Sequence, residues 1–150
     1  MAYEVRLEDR PTQTVAVIRT KVPDGQLNII GQVIGELVTF LDGAGAHPSG
    51  PPYARSLWQP GADLEIGLPV QARFAGNERV ICSELPAGNA AVSWHTGPYD
   101  QVGGAHDAIR AWVDAQGRTI IGVPLEVYWT DPNAEPDPAK WRTEVVYPIR

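Results

Sequence analysis

The same order of secondary-structure signals occurs twice along this chain, and that repetition constrains the fold more than any single motif. In the first pass, from Thr14 to Val70, an apolar run (Val15-Ala16-Val17-Ile18) reads as a strand and leads through Pro23-Asp24-Gly25 into a helical period. Leu27, Ile30, Ile34, Leu37 and Leu41 recur at helical spacing, which puts one apolar stripe on a helix from about Gln26 to Asp42. Asp24 is placed to cap its start and Gly43 to stop it. A Gly- and Pro-rich loop (Gly43 to Pro52) follows. Tyr53 to Trp58 and Leu64 to Val70 then read as strands, joined by a hairpin turn at Gln59-Pro60-Gly61-Ala62. The second pass keeps this order. Ala90 to Trp94 is a strand, Thr96-Gly97-Pro98 a turn, and Val102, Ala105, Ile109, Trp112 and Val113 a helical stripe ending near Gly117. Pro124 to Thr130 and Thr143 to Ile149 complete it as strands. Glu65-Ile66-Gly67-Leu68-Pro69-Val70 echoes Glu144-Val145-Val146-Tyr147-Pro148-Ile149, and the offset of about 75 positions exceeds solenoid periods, so a βαββ unit is duplicated.

One such unit has a single helix to cover one face of a small sheet. Two copies related by a pseudo-two-fold axis can join their sheets, which predicts an α+β fold: an antiparallel sheet, two main helices and a central ligand cleft at the seam. The expectation is one domain over residues 1–150, with repeat one at about 1–75 and repeat two at about 85–150. A chain of 150 residues buries enough surface to need no disulfide or metal staple. Eighteen acidic against twelve basic residues, a net charge of −6, argue against direct nucleic-acid binding and against anionic membranes. No apolar stretch reaches the roughly 18 residues of a membrane span, and Met1-Ala2-Tyr3-Glu4 lacks the start of a secretory signal, so cytoplasmic residence is expected. Cys82 is the single cysteine, without the pattern of a thiol nucleophile. His47, His95 and His106 show no metal-ligand spacing and read as local hydrogen-bonding or surface residues; no metal and no cofactor is expected. Gly103-Gly104 predicts close packing at a helix start.

The candidate chemistry centres on Pro124-Leu125-Glu126-Val127-Tyr128-Trp129-Thr130-Asp131-Pro132. Side chains of a strand alternate, so Glu126 and Tyr128 share one face while Leu125, Val127 and Trp129 share the other. A carboxylate beside aromatic rings is costly unless a cation or hydrogen-bond donors meet it, so Glu126 reads either as a waiting charge partner or as an edge-strand carboxylate pointing into water. Aligning Pro52 with Pro124 sets Ala54 opposite Glu126: one repeat supplies a charge where the other supplies space. Trp58 and Tyr128 fall in the register of Glu126, and Tyr53, Tyr99 and Trp94 offer further aromatic faces for a planar or cationic ligand. Trp112, on the helical stripe, is assigned to the core. Glu65 and Glu144, at equivalent positions, point to a structural role in the repeat, and Asp131 and Asp137 to turns.

Five segments in order resemble the GyrI-like small-molecule-binding domain family. They are Gly50-Pro51-Pro52-Tyr53-Ala54-Arg55 and Leu64-Glu65-Ile66-Gly67-Leu68-Pro69-Val70 in the first half. In the second half they are Trp94-His95-Thr96-Gly97-Pro98-Tyr99-Asp100 with the helix ending Ala111-Trp112, then Pro124 to Pro132, then Trp141-Arg142-Thr143-Glu144. The resemblance spans nearly the whole chain and implies a bacterial fold of two βαββ repeats. It implies no DNA-binding domain here, since the repeats occupy all 150 residues. It maps the family's pocket carboxylate to Glu126. The function so implied is binding of lipophilic, aromatic, cationic small molecules, for sequestration or sensing, with Glu126 as charge partner and Tyr128, Trp58, Tyr53, Tyr99 and Trp94 as aromatic walls. Two alternatives stay open. In one, a hydrolase opens the cyclopropane of DNA-alkylating natural products, with Glu126 as the catalytic residue activating water. In the other, the chain is a protein-interaction inhibitor of a topoisomerase.

Overall fold

The structure is a computed structural model and describes residues 3–21, 29–59 and 62–150, the side chains at 58, 59 and 62 excepted. The described residues form eight strands and two α-helices, in two compact units: Thr12–Pro86, and Met1–Pro11 with Ala87–Arg150. The first unit holds β2 (Gln13–Thr20), α1 (Ile29–Gly43), β3 (Tyr53–Gln59), β4 (Ala62–Pro69) and β5 (Ile81–Leu85). Its strands run in the order β5-β2-β4-β3, each neighbour antiparallel. The second unit holds β1 (Val5–Arg10), β6 (Gly88–Thr96), α2 (Gly103–Ala115), β7 (Leu125–Tyr128) and β8 (Arg142–Pro148), in the order β1-β6-β8-β7, again antiparallel.

Both predicted βαββ runs are present, as β2-α1-β3-β4 and β6-α2-β7-β8. Their internal registers correspond as well: Ala54 pairs with Ile66 in one unit, and Glu126 pairs with Val145 in the other. β1 and β5 are additional strands, and each closes one edge of its own sheet. β1 is heavily charged along its length (Val5-Arg6-Leu7-Glu8-Asp9-Arg10), the way edges are guarded against further pairing, and this weakens its strand signature.

Each helix lays its apolar stripe on its own sheet, α1 against β4 and β2, α2 against β6, β1 and β8. In α1 the buried positions are Val33, Leu37 and Leu41, while Ile30 and Ile34 are half-buried flanks; Leu27, the Asp24 cap and the helix start at Gln26 lie outside the described residues. In α2 the buried positions are Ala105, Ile109 and Val113, with Val102 and Trp112 packed at the margin of a core that includes Ala91, Val145, Tyr147 and Ile149. Fully burying aliphatic side chains of this size stabilises a fold by about 1.5–3 kcal/mol each. Pro60 and Gly61 of the predicted hairpin turn also lie outside the described residues. Among the described residues no helix is long and apolar enough to cross a membrane.

Candidate functional site

The pleat of β7 and β8 sets the site. Glu126 pairs with Val145 and Tyr128 with Thr143, so these side chains stand on the face that also carries Tyr147, which is the face covered by α2. Leu125, Val127 and Trp129 point the opposite way. Glu126 is 30% exposed and His106, from the second turn of α2, is 14% exposed; the imidazole Nε2 lies 2.7 Å from Glu126 Oε2. The other ring nitrogen, Nδ1, lies 2.6 Å from the hydroxyl of Tyr147 on β8. The Tyr128 hydroxyl donates to Glu126 Oε1 at 3.3 Å. Side chains of α2 and β7 thus meet at one carboxylate, and β8 is linked to it through His106.

The protons follow from what each atom can do. An ionised carboxylate only accepts, so Nε2 carries the hydrogen shared with Glu126. In the neutral ring Nδ1 is then bare and accepts from Tyr147. Burial first, and the nearby Glu126 charge second, push the Tyr128 hydroxyl well above its ordinary range, so it stays a donor. Tyr147 is raised for the same leading reason, with Arg110 opposing and Glu126 assisting. Among the described residues no lysine or arginine pairs with Glu126.

Aromatic rings border this carboxylate on one side. Tyr99, in the 3-10 turn Tyr99–Gln101 that precedes α2, packs against Tyr128 at 5.2 Å between centroids and stacks on Trp141 at 4.8 Å. Its hydroxyl donates to the Thr130 carbonyl at 3.4 Å. Gly104 lets the start of α2 sit close to Tyr3, since a Cβ there would lie 2.8 Å from that ring. Tyr3 in turn bonds His95 Nδ1 at 2.9 Å, and His95 Nε2 donates to the Pro98 carbonyl at 3.0 Å, which fixes the turn carrying Tyr99.

The profile of the GyrI-like small molecule binding domain matches residues 3–150. The chain belongs to this family. Among solved structures, the EcmrR C-terminal domain is 23% identical over 100% of this chain and 99% of its own, with a TM-score of 0.86. In the cryo-EM structure of the EcmrR–DNA complex the match is 24% identical over 99% of this chain, with a TM-score of 0.85, and this chain spans 57% of that one. SAV2435, solved bound to tetraphenylphosphonium, is 16% identical over 100% of this chain and 94% of its own, with a TM-score of 0.62. A hydrolase from Listeria innocua is 14% identical over 98% of this chain and 92% of its own, with a TM-score of 0.65. At these identities the likenesses speak for the fold. No curated protein matches the sequence.

Within this GyrI-like domain the sequence-predicted residues separate into groups. Glu126, Tyr128 and Tyr99 come together in the second unit. Trp94 lies on the opposite face of its sheet, 5.7 Å from Trp129 and under the Arg142 guanidinium at 4.4 Å. There it lines a shallow depression with Glu4, Arg6 and Arg142. Tyr53 belongs to the first unit, where it is 1% exposed and donates its hydroxyl to Glu65 at 2.8 Å. Trp58 lies on β3, and its side chain is outside the described residues. Glu65 and Glu144 are both buried and both hydrogen-bonded to arginine, Glu65 by Arg55 and Arg19, Glu144 by Arg10. His106 and Tyr147 are the members that sequence reading did not assign to the site. At about 100° per residue His106 lies only about 20° from Val113 on the helical wheel, and this angle was the available signal.

Proposed function

We propose that this GyrI-like domain binds lipophilic aromatic cations, with Glu126 as the charge partner and Tyr128, Tyr99 and Trp141 as the adjoining aromatic surface. The observation that carries this reading is a partly buried carboxylate, flanked by aromatic rings, whose ionic partner among the described residues is a histidine able to be neutral. A neutral imidazole leaves the carboxylate charge for a ligand to meet. Stacking surfaces and one charge contact impose little shape, so the site suits varied ligands. The binding of tetraphenylphosphonium by SAV2435, which shares the fold, lends support and supplies a probe.

The test is titration of the protein with tetraphenylphosphonium and with neutral triphenylphosphine oxide, before and after Glu126→Gln. Removing a partly desolvated charge contact is expected to weaken the cation by roughly ten- to thirtyfold, about 1.5–2 kcal/mol, and the neutral compound by less than twofold. An unchanged affinity for the cation would take Glu126 out of the site.

A second reading draws on the same hydrogen bonds. Glu126 held by His106 has the orientation that a general base needs, so a strained cyclopropane bound on the aromatic side could be opened by water activated there. Water would add across the breaking carbon–carbon bond, its hydroxyl to one carbon and a proton to the other. Mass spectrometry separates the readings: a ligand retained unchanged supports binding, and one released with a water added, over many turnovers, supports hydrolysis.

A further inference from the structure

His106 uses both ring nitrogens, and both of its partners serve either protonation state. Across the 2.6 Å between Nδ1 and the Tyr147 hydroxyl, Tyr147 donates to a neutral ring, and the Nδ1–H of an imidazolium can donate to the Tyr147 oxygen. Nε2, 2.7 Å from Glu126, carries a hydrogen in both states. Protonation therefore changes the charge of the site with little change of geometry. Beside a neutral ring the carboxylate is a net negative centre. Beside an imidazolium the pair is neutral, and a ligand cation reaching Glu126 meets a second positive charge directly behind it.

We propose that His106 couples ligand binding to a proton: an organic cation seated at Glu126 displaces a proton from His106, so the site selects by pH as well as by charge. This rests on the cation binding at Glu126 proposed above. By linkage, a ligand that disfavours the protonated form binds more tightly as pH rises. Affinity should climb by up to tenfold per pH unit where His106 titrates, and level off once the free ring is neutral.

The surroundings fit a single coupled group. From β7 the ring is faced by Glu126 and Tyr128, and from β8 by Tyr147. On α2 itself Asp107 and Arg110 pair with each other at 3.1 Å, and Arg110 lies over the Tyr147 ring at 5.7 Å. Towards the start of α2, His95 and Tyr3 are bonded to one another, with His95 3% exposed. Tyr128 and Tyr147 are both raised by burial and stay donors or acceptors of hydrogen bonds, which leaves the imidazole between Glu126 and Tyr147 as the group placed to exchange a proton there. His95 is bonded at both nitrogens, to Tyr3 and to the Pro98 carbonyl, away from Glu126.

Calorimetry of the full chain with tetraphenylphosphonium, from pH 5.5 to 8 in two buffers of different ionisation enthalpy, tests the coupling. Expected are proton release that peaks between the titration midpoints of the free and the bound protein, at up to one per cation, and its loss in His106→Gln, whose amide still reaches towards Glu126. The same coupling is read without any variant by following the His106 ring proton in NMR, whose titration midpoint should fall when the cation is bound. Binding that depends on Glu126 but releases no proton, or that releases it equally in His106→Gln, overturns the proposal, as does an unmoved His106 midpoint. Tetraphenylphosphonium binding equally well to Glu126→Gln overturns the underlying reading instead, and the coupling falls with it.

Discussion

Glu65 is 1% exposed and accepts hydrogen bonds from Tyr53, Arg55 and Arg19 at 2.8–3.0 Å, with a second Arg55 contact at 3.3 Å. Burial by itself would raise its pKa; the bonds from Arg55, Tyr53 and Arg19 outweigh burial and hold it below the ordinary 4.5. A folded value below the unfolded one gives stability that is fully present above the unfolded pKa and lost as pH falls through the folded value. Glu65→Gln should therefore cost about 3 kcal/mol in urea unfolding at pH 7, with the difference from wild type shrinking towards pH 3. An equal loss at both pH values would assign the effect to packing and not to charge. Glu126 has a different setting: among the described residues it is met by His106 and Tyr128 and by no arginine. The facing of Glu126 and Tyr128 was legible from strand alternation alone. The His106 contact was masked, because a histidine beside an aspartate on a helix carries the pattern of a solvated face, and only its wheel angle to Val113 pointed the other way.

Between elements, the close approach of β3 to β4 depends on a missing side chain. A Cβ at Gly67 would lie 2.5 Å from Tyr53 Cε1, so the ring that feeds Glu65 its hydroxyl fits only over a glycine. Gly67→Ala should cost about 1–3 kcal/mol by overpacking, and in a Tyr53→Ala background less than half of that, since the clash has been removed. Thermal or urea denaturation of the four proteins of this cycle measures the coupling. Additive losses would mean that the strand tolerates the methyl by shifting elsewhere. Six strands and both helices could be read from the sequence because each buries a periodic apolar face, as Val15 to Ile18 and the Ala105, Ile109, Val113 stripe do. β1 and β5 could not, because β1 (Val5–Arg10) is dominated by charge and β5 (Ile81–Leu85) is short and mixes polar with apolar residues on both faces. β1 offers Arg6, Glu8 and Arg10 on one face, where Arg10 also reaches Glu144 at 3.4 Å. Register made the repeat alignment testable, and the pairing of Ala54 with Ile66 and of Glu126 with Val145 agrees with aligning Pro52 to Pro124.

Across the molecule one structural plan is used for two chemistries. Matching the buried stripe Val33, Leu37, Leu41 of α1 to Ala105, Ile109, Val113 of α2 sets Ile34 where the other unit has His106. The strand registers likewise set Ala54 at the place of Glu126 and Leu68 at the place of Tyr147. A polar trio in one unit is an apolar trio in the other, so duplication of the fold did not duplicate the site. The expected stoichiometry is one tetraphenylphosphonium per chain. A ligand that binds only the folded state stabilises it by mass action, about 2.7 kcal/mol at a hundredfold excess over Kd. For a chain of this length that is a rise in Tm of about 5–10 °C, at roughly 2–4 °C per kcal/mol. In Glu126→Gln the same concentration is only about three to ten Kd if the charge contact is worth the tenfold to thirtyfold argued above, so the stabilisation should drop to about 1 kcal/mol. Melting curves against ligand concentration for both proteins measure this directly. Two cations bound per chain, or equal shifts in wild type and Glu126→Gln, would place the charge recognition somewhere other than the Glu126, His106 and Tyr147 cluster.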